Sequence, residues 1–252
     1  TTFEDIEEAK QLYPNTTIVE EGEPTAFIAA PAGEGWQALA SDIAAAIEDA
    51  TGASLDVVIG DEVSDEQLQA NNAIVLGNIA NNRALLYAYS HSLIFADGVY
   101  PGEGGYEVRS VHDPWGNGKN IIAIGASDLA GARAGADYFM SLLEDGDTLV
   151  LEPFSQTELA GAAAGRYAGA FRTSPDEAWL EKQRETAERR LDSGIHGGLF
   201  SLAHRVGNDY ALTRKPGFAK QFAWLIKRAY EHYLTDPQTF GGPWGMDSDF
   251  NI

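Results

Sequence analysis

The hydrophobic pattern of residues 16–151 alternates between short apolar runs and helix-like spacing. Apolar runs of strand length lie at Thr16–Glu20, Thr25–Ala30, Leu55–Ile59, Ala73–Leu76, Tyr106–Val111, Ile121–Gly125 and Asp147–Leu151. Helical spacing and capping signals predict helices at Trp36–Ala50, Ser64–Gln69, Ile79–Tyr89 and Ser127–Leu143. Because strands and helices alternate, the pattern predicts an α/β domain whose mixed sheet is covered by helices.

The pattern changes after residue 151, beyond which no strand is predicted. Residues 157–174 are interpreted as a linker, with a tightly packed segment as the alternative for the Gly/Ala-rich stretch 157–170. Helical spacing then predicts an all-α helical-hairpin segment, with helices at Asp176–Leu191, Gly198–Leu212 and Gly217–Leu234. We therefore expect an α/β domain over residues 1–156 and a helical segment over residues 175–252 that begins a larger, incomplete domain.

Charge divides the chain at nearly the same place. Residues 1–165 hold five basic and 27 acidic residues, a net charge of −22, whereas residues 166–252 hold 12 basic and 11 acidic ones. The acidic segment repels phosphate backbones and anionic membrane surfaces, so we expect neither nucleic acid nor a membrane as a partner. The sequence contains no apolar run near the roughly 20 residues of a membrane span. It also contains no cysteine, which excludes thiol catalysis and disulfides.

A resemblance to a known family arises in residues 104–143, which read GGYEVRSVHDPWGNGKNIIAIGASDLAGARAGADYFMSLL. This segment resembles the closing half of the small α/β domain that precedes the catalytic barrels of β-hexosaminidases and α-glucuronidases. The strand Ala73–Gly77 and the helix Trp36–Ala50 fit the same plan. The resemblance implies an accessory domain that packs against a catalytic unit and does no chemistry itself.

A second resemblance covers residues 196–233, HGGLFSLAHRVGNDYALTRKPGFAKQFAWLIKRAYEHY. This phrase is similar to the recurring helical hairpin of (α/α) toroids in heparinase-type and alginate-type polysaccharide lyases. In the hydrolases, the small α/β domain is normally followed in the chain by a (β/α)₈ barrel, whereas no strand is predicted here after residue 151. The combined resemblance therefore implies a polysaccharide lyase rather than a glycoside hydrolase.

Candidate catalytic residues lie in the second of the three predicted helices, Gly198–Leu212. Toroidal lyases abstract the proton α to a uronate carboxylate, which requires a base and a group that neutralises the enolate-like charge. The residue types that fit these roles are His204, Arg205, Asn208 and Tyr210. Alternatively, these are residues of a helix surface or an interface. Basic residues available to an acidic polysaccharide lie in the same part of the chain: Arg205, Arg214, Lys215, Lys227 and Arg228.

Two loop tryptophans are candidates for substrate binding. Trp244 lies in the Gly/Pro-rich segment Gly241–Gly245, and Trp115 lies in the loop Asp113–Gly116. An exposed indole face can stack on a sugar ring. The alternative for each is structural packing of the loop.

No cofactor or metal is expected. The turn Gly125–Gly131 joins a strand to a helix, but Asp128 places a negative charge where a phosphate would bind, so Ser127 or Asp128 is interpreted as a helix cap. The alternating carboxylates of Asp247–Asn251 are similar to the start of a calcium loop, and a solvated acidic terminus is the alternative. Asn15-Thr16-Thr17 matches a glycosylation motif, which matters only in a host that glycosylates.

Two functional hypotheses follow. In the first, the chain is the N-terminal portion of a secreted polysaccharide-processing protein, with an accessory domain and the first toroid helices, acting on an acidic polysaccharide by β-elimination. In the second, it is a non-catalytic surface or assembly protein whose exposed helices dock onto a partner or self-associate. The first residue is Thr1 rather than Met, so we interpret an upstream segment, such as a signal peptide, as removed or omitted. Together with the acid-rich, lysine-poor composition, which suits a salty exterior, this predicts a secreted, extracellular or cell-surface location.

Overall fold

The computed structural model of the chain describes residues 12–192 and 198–235. The chain divides into two compact units, and the division falls after Tyr167. We call the described residues up to 167 the α/β unit and those from 168 onward the helical unit. The fold class predicted from the sequence, α/β followed by helices, is confirmed.

The α/β unit is built on a six-stranded mixed sheet in the order β4-β3-β5-β7-β6-β9. Its strands are β3 (Ala26–Ala30), β4 (Val57–Ile59), β5 (Asn72–Gly77), β6 (Tyr106–Val111), β7 (Ile121–Ala126) and β9 (Ser155–Glu158). The four strands β4, β3, β5 and β7 are parallel, and β6 is antiparallel to both of its neighbours. Nearly continuous apolar sequences in the central strands fit this topology, because parallel strands are buried on both faces.

A smaller antiparallel sheet of three strands completes the α/β unit. Its strands, in the order β2-β1-β8, are β1 (Thr16–Glu20), β2 (Glu23–Pro24) and β8 (Leu149–Leu151). The side chains of Ile18 and Val19 are fully buried in the same hydrophobic core as the main sheet. The small sheet therefore shares the core of the unit.

Helices cover both faces of the main sheet. The helices of this unit are α1 (Glu34–Thr51), α2 (Asp65–Ala70), α3 (Leu86–Ser90), α4 (Leu129–Met140) and α5 (Ala163–Arg166). Helices α1 and α4 pack on one face, whereas α2 and α3 pack on the other. Gly131 allows α4 to approach closely, because a Cβ there would lie 2.0 Å from the carbonyl oxygen of Gly105.

Three sequence predictions differ from the structure of this unit. The helix predicted over Ile79–Tyr89 is a polar turn, a 3₁₀ turn at Arg83–Leu85 and the short α3, because asparagine side chains bind the backbone of the turn. The expectation that strands end at residue 151 is wrong, since β9 pairs with β6. The predicted linker 157–174 contains the end of β9, α5 and another short helix.

The helical unit holds that short helix and three longer ones. They are α6 (Ala168–Arg172), α7 (Glu177–Asp192), α8 (Gly198–Thr213) and α9 (Pro216–Thr235). Helices α8 and α9 form a hairpin around a core that includes the fully buried Phe218 and Ala203. Gly217 lies against the backbone of Pro175, where a Cβ would be 1.9 Å from the carbonyl oxygen. Within the described residues, no helix has the length and hydropathy needed to cross a membrane.

Candidate functional site

Three of the four predicted catalytic residues lie on one exposed side of α8. Ser201, His204, Arg205 and Asn208 are exposed, whereas the remaining side of the helix is buried at Leu202, Ala203 and Val206. Successive residues of an α-helix are separated by roughly 100° around its axis, so the four exposed residues fall within one sector about 100° wide. We call these four residues the α8 strip.

Tyr210 does not belong to the α8 strip. By the same helical spacing its side chain leaves the helix on the side facing away from the strip. Tyr210 is half-buried and packs against the core of the helical unit, and the guanidinium carbon of Arg214 lies 5.5 Å from its ring centroid. The strip therefore offers His204 as a base, and Arg205 and Asn208 as groups that can bind a carboxylate or an enolate oxygen.

Asp209 borders the strip and was not predicted from the sequence. Burial raises the pKa of the half-buried Asp209 carboxyl above its ordinary value, and the positive charge of Arg205, one turn earlier, opposes the rise. The four-residue spacing between Arg205 and Asp209 is the sequence signal for this proximity. Arg205 thus has a nearby carboxylate on the edge of the strip.

Lys215, predicted as a basic residue available to a polyanion, has a structural role. Its ammonium group donates hydrogen bonds to backbone carbonyls at the end of α6 and just beyond it, those of Ala170, Phe171 and Thr173. These carbonyls lack partners within a helix, and a cation placed there satisfies them and interacts favourably with the helix dipole. The donors of Lys215 are therefore engaged within the unit.

Arg228 and Lys227 also have acidic partners. The Nε and Nη2 atoms of Arg228 donate to the two carboxylate oxygens of Glu188, at 2.7 and 3.0 Å. This bidentate pair lowers the pKa of Glu188. Lys227 lies 3.9 Å from Glu231 on the same helix. Of the five basic residues predicted for an acidic ligand, Arg205 is the one that lies in the α8 strip.

Trp115 is half-buried in the loop between β6 and β7. Its ring centroid lies 5.4 Å from that of Tyr87, which stacks on His91 at 4.1 Å and donates a hydrogen bond to the carbonyl of Pro114. The indole also packs against the second hydrophobic core of the α/β unit. These contacts match the packing alternative for Trp115.

The Gly125–Gly131 turn has the geometry of a helix cap. The Oδ1 atom of Asp128 accepts a hydrogen bond from the backbone N–H of Gly131 at 2.8 Å. Its Oδ2 atom accepts another from Gly104 at 2.9 Å, and the Ser127 hydroxyl accepts from Gly102 at 3.0 Å. The interpretation of this turn as a cap is confirmed for Asp128.

Buried asparagines bind the carboxyl ends of the parallel strands together. The Asn82 amide donates to the carbonyls of Ala29 and Leu76, and the Asn78 amide donates to that of Ala126 at 2.8 Å. This edge of an open α/β sheet is where ligands commonly bind. Here the amides of Asn78 and Asn82 are used to join β3, β5 and β7.

A buried ionic group lies on β6. Glu107 and Arg109 are fully buried and paired with each other, and the second Glu107 oxygen accepts a hydrogen bond from the backbone N–H of Phe95 at 2.9 Å. Burial raises the pKa of the nearby Tyr100 phenol, and the Glu107 charge adds to this rise. The pair holds the loop before β6 against the sheet.

Two of the predicted features fall in the C-terminal residues after 235. Trp244 and the Asp247–Asn251 segment lie outside the described residues. Within the described ranges, no group of three or more potential metal ligands occurs.

No protein-family model matches the chain, and no curated protein matches it. The fold and the surfaces above define the molecule as an acidic α/β unit followed by a near-neutral helical unit with one exposed polar strip on α8.

Proposed function

We propose that the chain belongs to a secreted polysaccharide-processing protein, in which the α/β unit is a non-catalytic accessory and the helical unit contacts the saccharide. The observation that supports this proposal most is the α8 strip. Its exposed side chains are an imidazole, a guanidinium, an amide and a hydroxyl, which together can donate to and accept from sugar hydroxyls and carboxylates.

The chemistry favoured for the strip is recognition of a uronate. The Arg205 guanidinium can bind a carboxylate, and the Asn208 amide lies close enough along the helix to contact the same sugar. If the complete site performs β-elimination, His204 is the residue of the strip suited to accept the α proton. Lyase activity is therefore the enzymatic form of the proposal.

Charge distribution favours the helical unit as the part of the chain that contacts an acidic saccharide. Residues 1–165 carry a net charge of −22 and repel a polyuronate, whereas residues 166–252 are nearly neutral. A polyanion therefore meets the smallest electrostatic barrier at the helical unit, where Arg205 supplies a positive charge.

Isothermal titration with uronate oligosaccharides tests this proposal. The double variant Arg205→Gln/Asn208→Ala is expected to bind about tenfold more weakly, or worse, because two ligand contacts are removed. Lys220→Gln is a matched control, since Lys220 is exposed in the same unit but lies outside the strip. Equal affinity of the wild type and the strip variant, or equal loss in the control, would contradict the proposal.

The ultraviolet absorbance of an unsaturated uronate product tests the enzymatic form separately. If no uronate polymer yields this product while binding is intact, the chain is a saccharide-binding protein and the proposed lyase activity is excluded.

The alternative is an assembly protein that docks through apolar helix surfaces. Among the large hydrophobic side chains described at 168–192 and 199–232, only that of Tyr230 is exposed, at 46 %. The helical unit therefore exposes little apolar surface within those ranges onto which a partner could dock. Light scattering after size exclusion distinguishes the two, because the alternative requires an oligomer or a complex.

A further inference from the structure

Asn15 differs in its surroundings from four buried asparagines of the α/β unit. Asn72, Asn78, Asn82 and Asn120 are buried and bind the backbone of neighbouring strands. Asn15 is exposed just before β1. It is also the only asparagine in the sequence followed, two residues later, by Ser or Thr. The one acceptor motif for N-linked glycans therefore has an accessible side-chain amide.

Asn15 lies at a bend directly before β1, where the chain enters the small sheet. Thr16 is fully buried and its hydroxyl accepts a hydrogen bond from the Asn120 amide, whereas Thr17 is half-buried. Tyr13, Asn15 and Thr17 all line one open cavity of about 420 Å³.

Tyr13 provides an aromatic surface beside that amide. Its side chain is 39 % exposed. A ring carbon lies 3.3 Å from where a Cβ of Gly118 would be, so the ring rests against a residue with no side chain. The neighbouring polar residues of the cavity, Glu20 and Lys119, can bind sugar hydroxyls.

We infer that Asn15 is an N-glycosylation site and that the first sugar of its glycan packs on the ring of Tyr13. The donor is a lipid diphosphate-linked oligosaccharide. The Asn15 Nδ2 atom forms a bond to the anomeric carbon, the bond from that carbon to the phosphate oxygen breaks, the lipid diphosphate leaves, and Nδ2 loses one proton to a base of the transferase. The apolar face of the attached sugar then contacts the Tyr13 ring.

This inference rests on the secreted location in the proposed function, because the donor and its transferase act on exported chains. The glycosylation of Asn15 and the proposed saccharide binding are nevertheless tested by different measurements. Saccharide binding by the α8 strip is measured on Asn15→Gln protein, which carries no glycan, and the glycan is measured on protein with an altered strip.

The test is expression of the full chain behind a secretion leader in an N-glycosylating host, followed by intact-mass and peptide analysis. One glycan is expected on the peptide that contains Asn15, absent from Asn15→Gln and Thr17→Ala and retained in Thr17→Ser. Asn117→Gln, which alters another exposed asparagine, is expected to keep the glycan. An unmodified wild-type chain, secreted beside a reporter that is glycosylated, would overturn the inference.

The contact with Tyr13 has its own readout. The thermal midpoint of the glycosylated chain is expected to exceed that of the enzymatically deglycosylated chain, and this difference is expected to shrink in Tyr13→Ala. An equal difference in both backgrounds would overturn the packing of the sugar on Tyr13 while leaving the modified residue to be decided by mass.

Discussion

The two units use their polar residues in opposite ways. Of the ten buried polar or charged residues in the described ranges, nine lie in the α/β unit, and Gln221 is the one in the helical unit. In the α/β unit, buried amides bind carbonyls at strand ends, and the buried Glu107 carboxylate accepts a hydrogen bond from the loop N–H of Phe95. In the helical unit, backbone groups inside the helices bond to one another and Lys215 binds the carbonyls at the end of α6, whereas the polar side chains of the α8 strip lie on the surface.

This difference separates structural from candidate functional chemistry. A polar residue whose hydrogen bonds are all used inside the protein contributes to stability, whereas an exposed one keeps its donors and acceptors for a ligand. Asn82 and Asn208 represent the two cases: Asn82 is buried and bonded to three backbone groups, and Asn208 is exposed on α8. The predictions below use substitutions that break or sharpen this contrast.

The largest effect is expected for Arg109→Met. This substitution leaves the buried Glu107 carboxylate without its cation, and breaking a buried pair in this way costs about 3–5 kcal/mol of unfolding free energy. Urea unfolding measures the cost. Arg133→Met removes an exposed arginine of the same unit and is expected to change stability by less than about 0.5 kcal/mol. Similar values for the two variants would contradict a structural role for the pair.

A second comparison uses the two asparagines. Asn82→Ala leaves the carbonyls of Ala29 and Leu76 without their donor, and each unsatisfied buried group costs about 1–3 kcal/mol. Asn208→Ala is expected to change the unfolding free energy by less than about 0.5 kcal/mol, because the residue is exposed on a helix. The same urea experiment measures both variants. A larger loss of unfolding free energy in Asn208→Ala than in Asn82→Ala would contradict a structural role for Asn82 and an exposed, non-structural one for Asn208.

The pH dependence of the helical unit depends on Glu188. Its pKa is lowered by Arg228, so the pair stabilises the folded state above the pKa of the unfolded chain and the contribution is lost as the pH falls below about 4. Both side chains are partly exposed, which limits the contribution to about 1 kcal/mol. Hydrogen exchange of α7 and α9 amides measures it. Arg228→Gln is expected to remove this acid sensitivity, and an unchanged pH profile would contradict the assignment.

The smallest effect is expected at Asp209. Its pKa is raised by burial, so its ionised form destabilises the folded state at neutral pH, and stability recovers as the pH falls through the folded pKa. Asp209→Asn is therefore expected to stabilise the helical unit slightly at neutral pH, by less than about 1 kcal/mol because the side chain is only half-buried. Thermal unfolding at neutral and acidic pH measures the difference. A variant that is less stable at neutral pH would contradict this account.

The sequence predicted those features that hydrophobic spacing determines. Helices such as α1 and α8 appear near their predicted ends, because burial on one side requires regular apolar positions, and β6 appears as a short run that is buried throughout. Strand β9 was missed, since the polar sequence Ser155–Glu158 forms at a sheet edge through pairing with β6 rather than through its own apolar pattern. The turn at Asn78–Asn82 was missed because its asparagines compete with helix hydrogen bonds.

The candidate site was predictable only in part. Helical spacing alone separates Tyr210 from His204, Arg205 and Asn208. Which of the two sides is exposed became known only from the packing of α8. The spacing of Asp209 from Arg205 was visible in the sequence, whereas its burial was not. Residue type therefore identified candidates, and tertiary packing selected among them.

The central claim is that saccharide contact belongs to the helical unit and not to the α/β unit. Amide chemical shifts of the full, isotope-labelled chain, recorded during titration with a uronate oligosaccharide, test it most directly. The account predicts changes at residues 201–209 of α8 and unchanged shifts in the strands of the α/β unit and around Trp115. Changes centred on Trp115 or the sheet, or no change in α8 at saturating oligosaccharide, would contradict it.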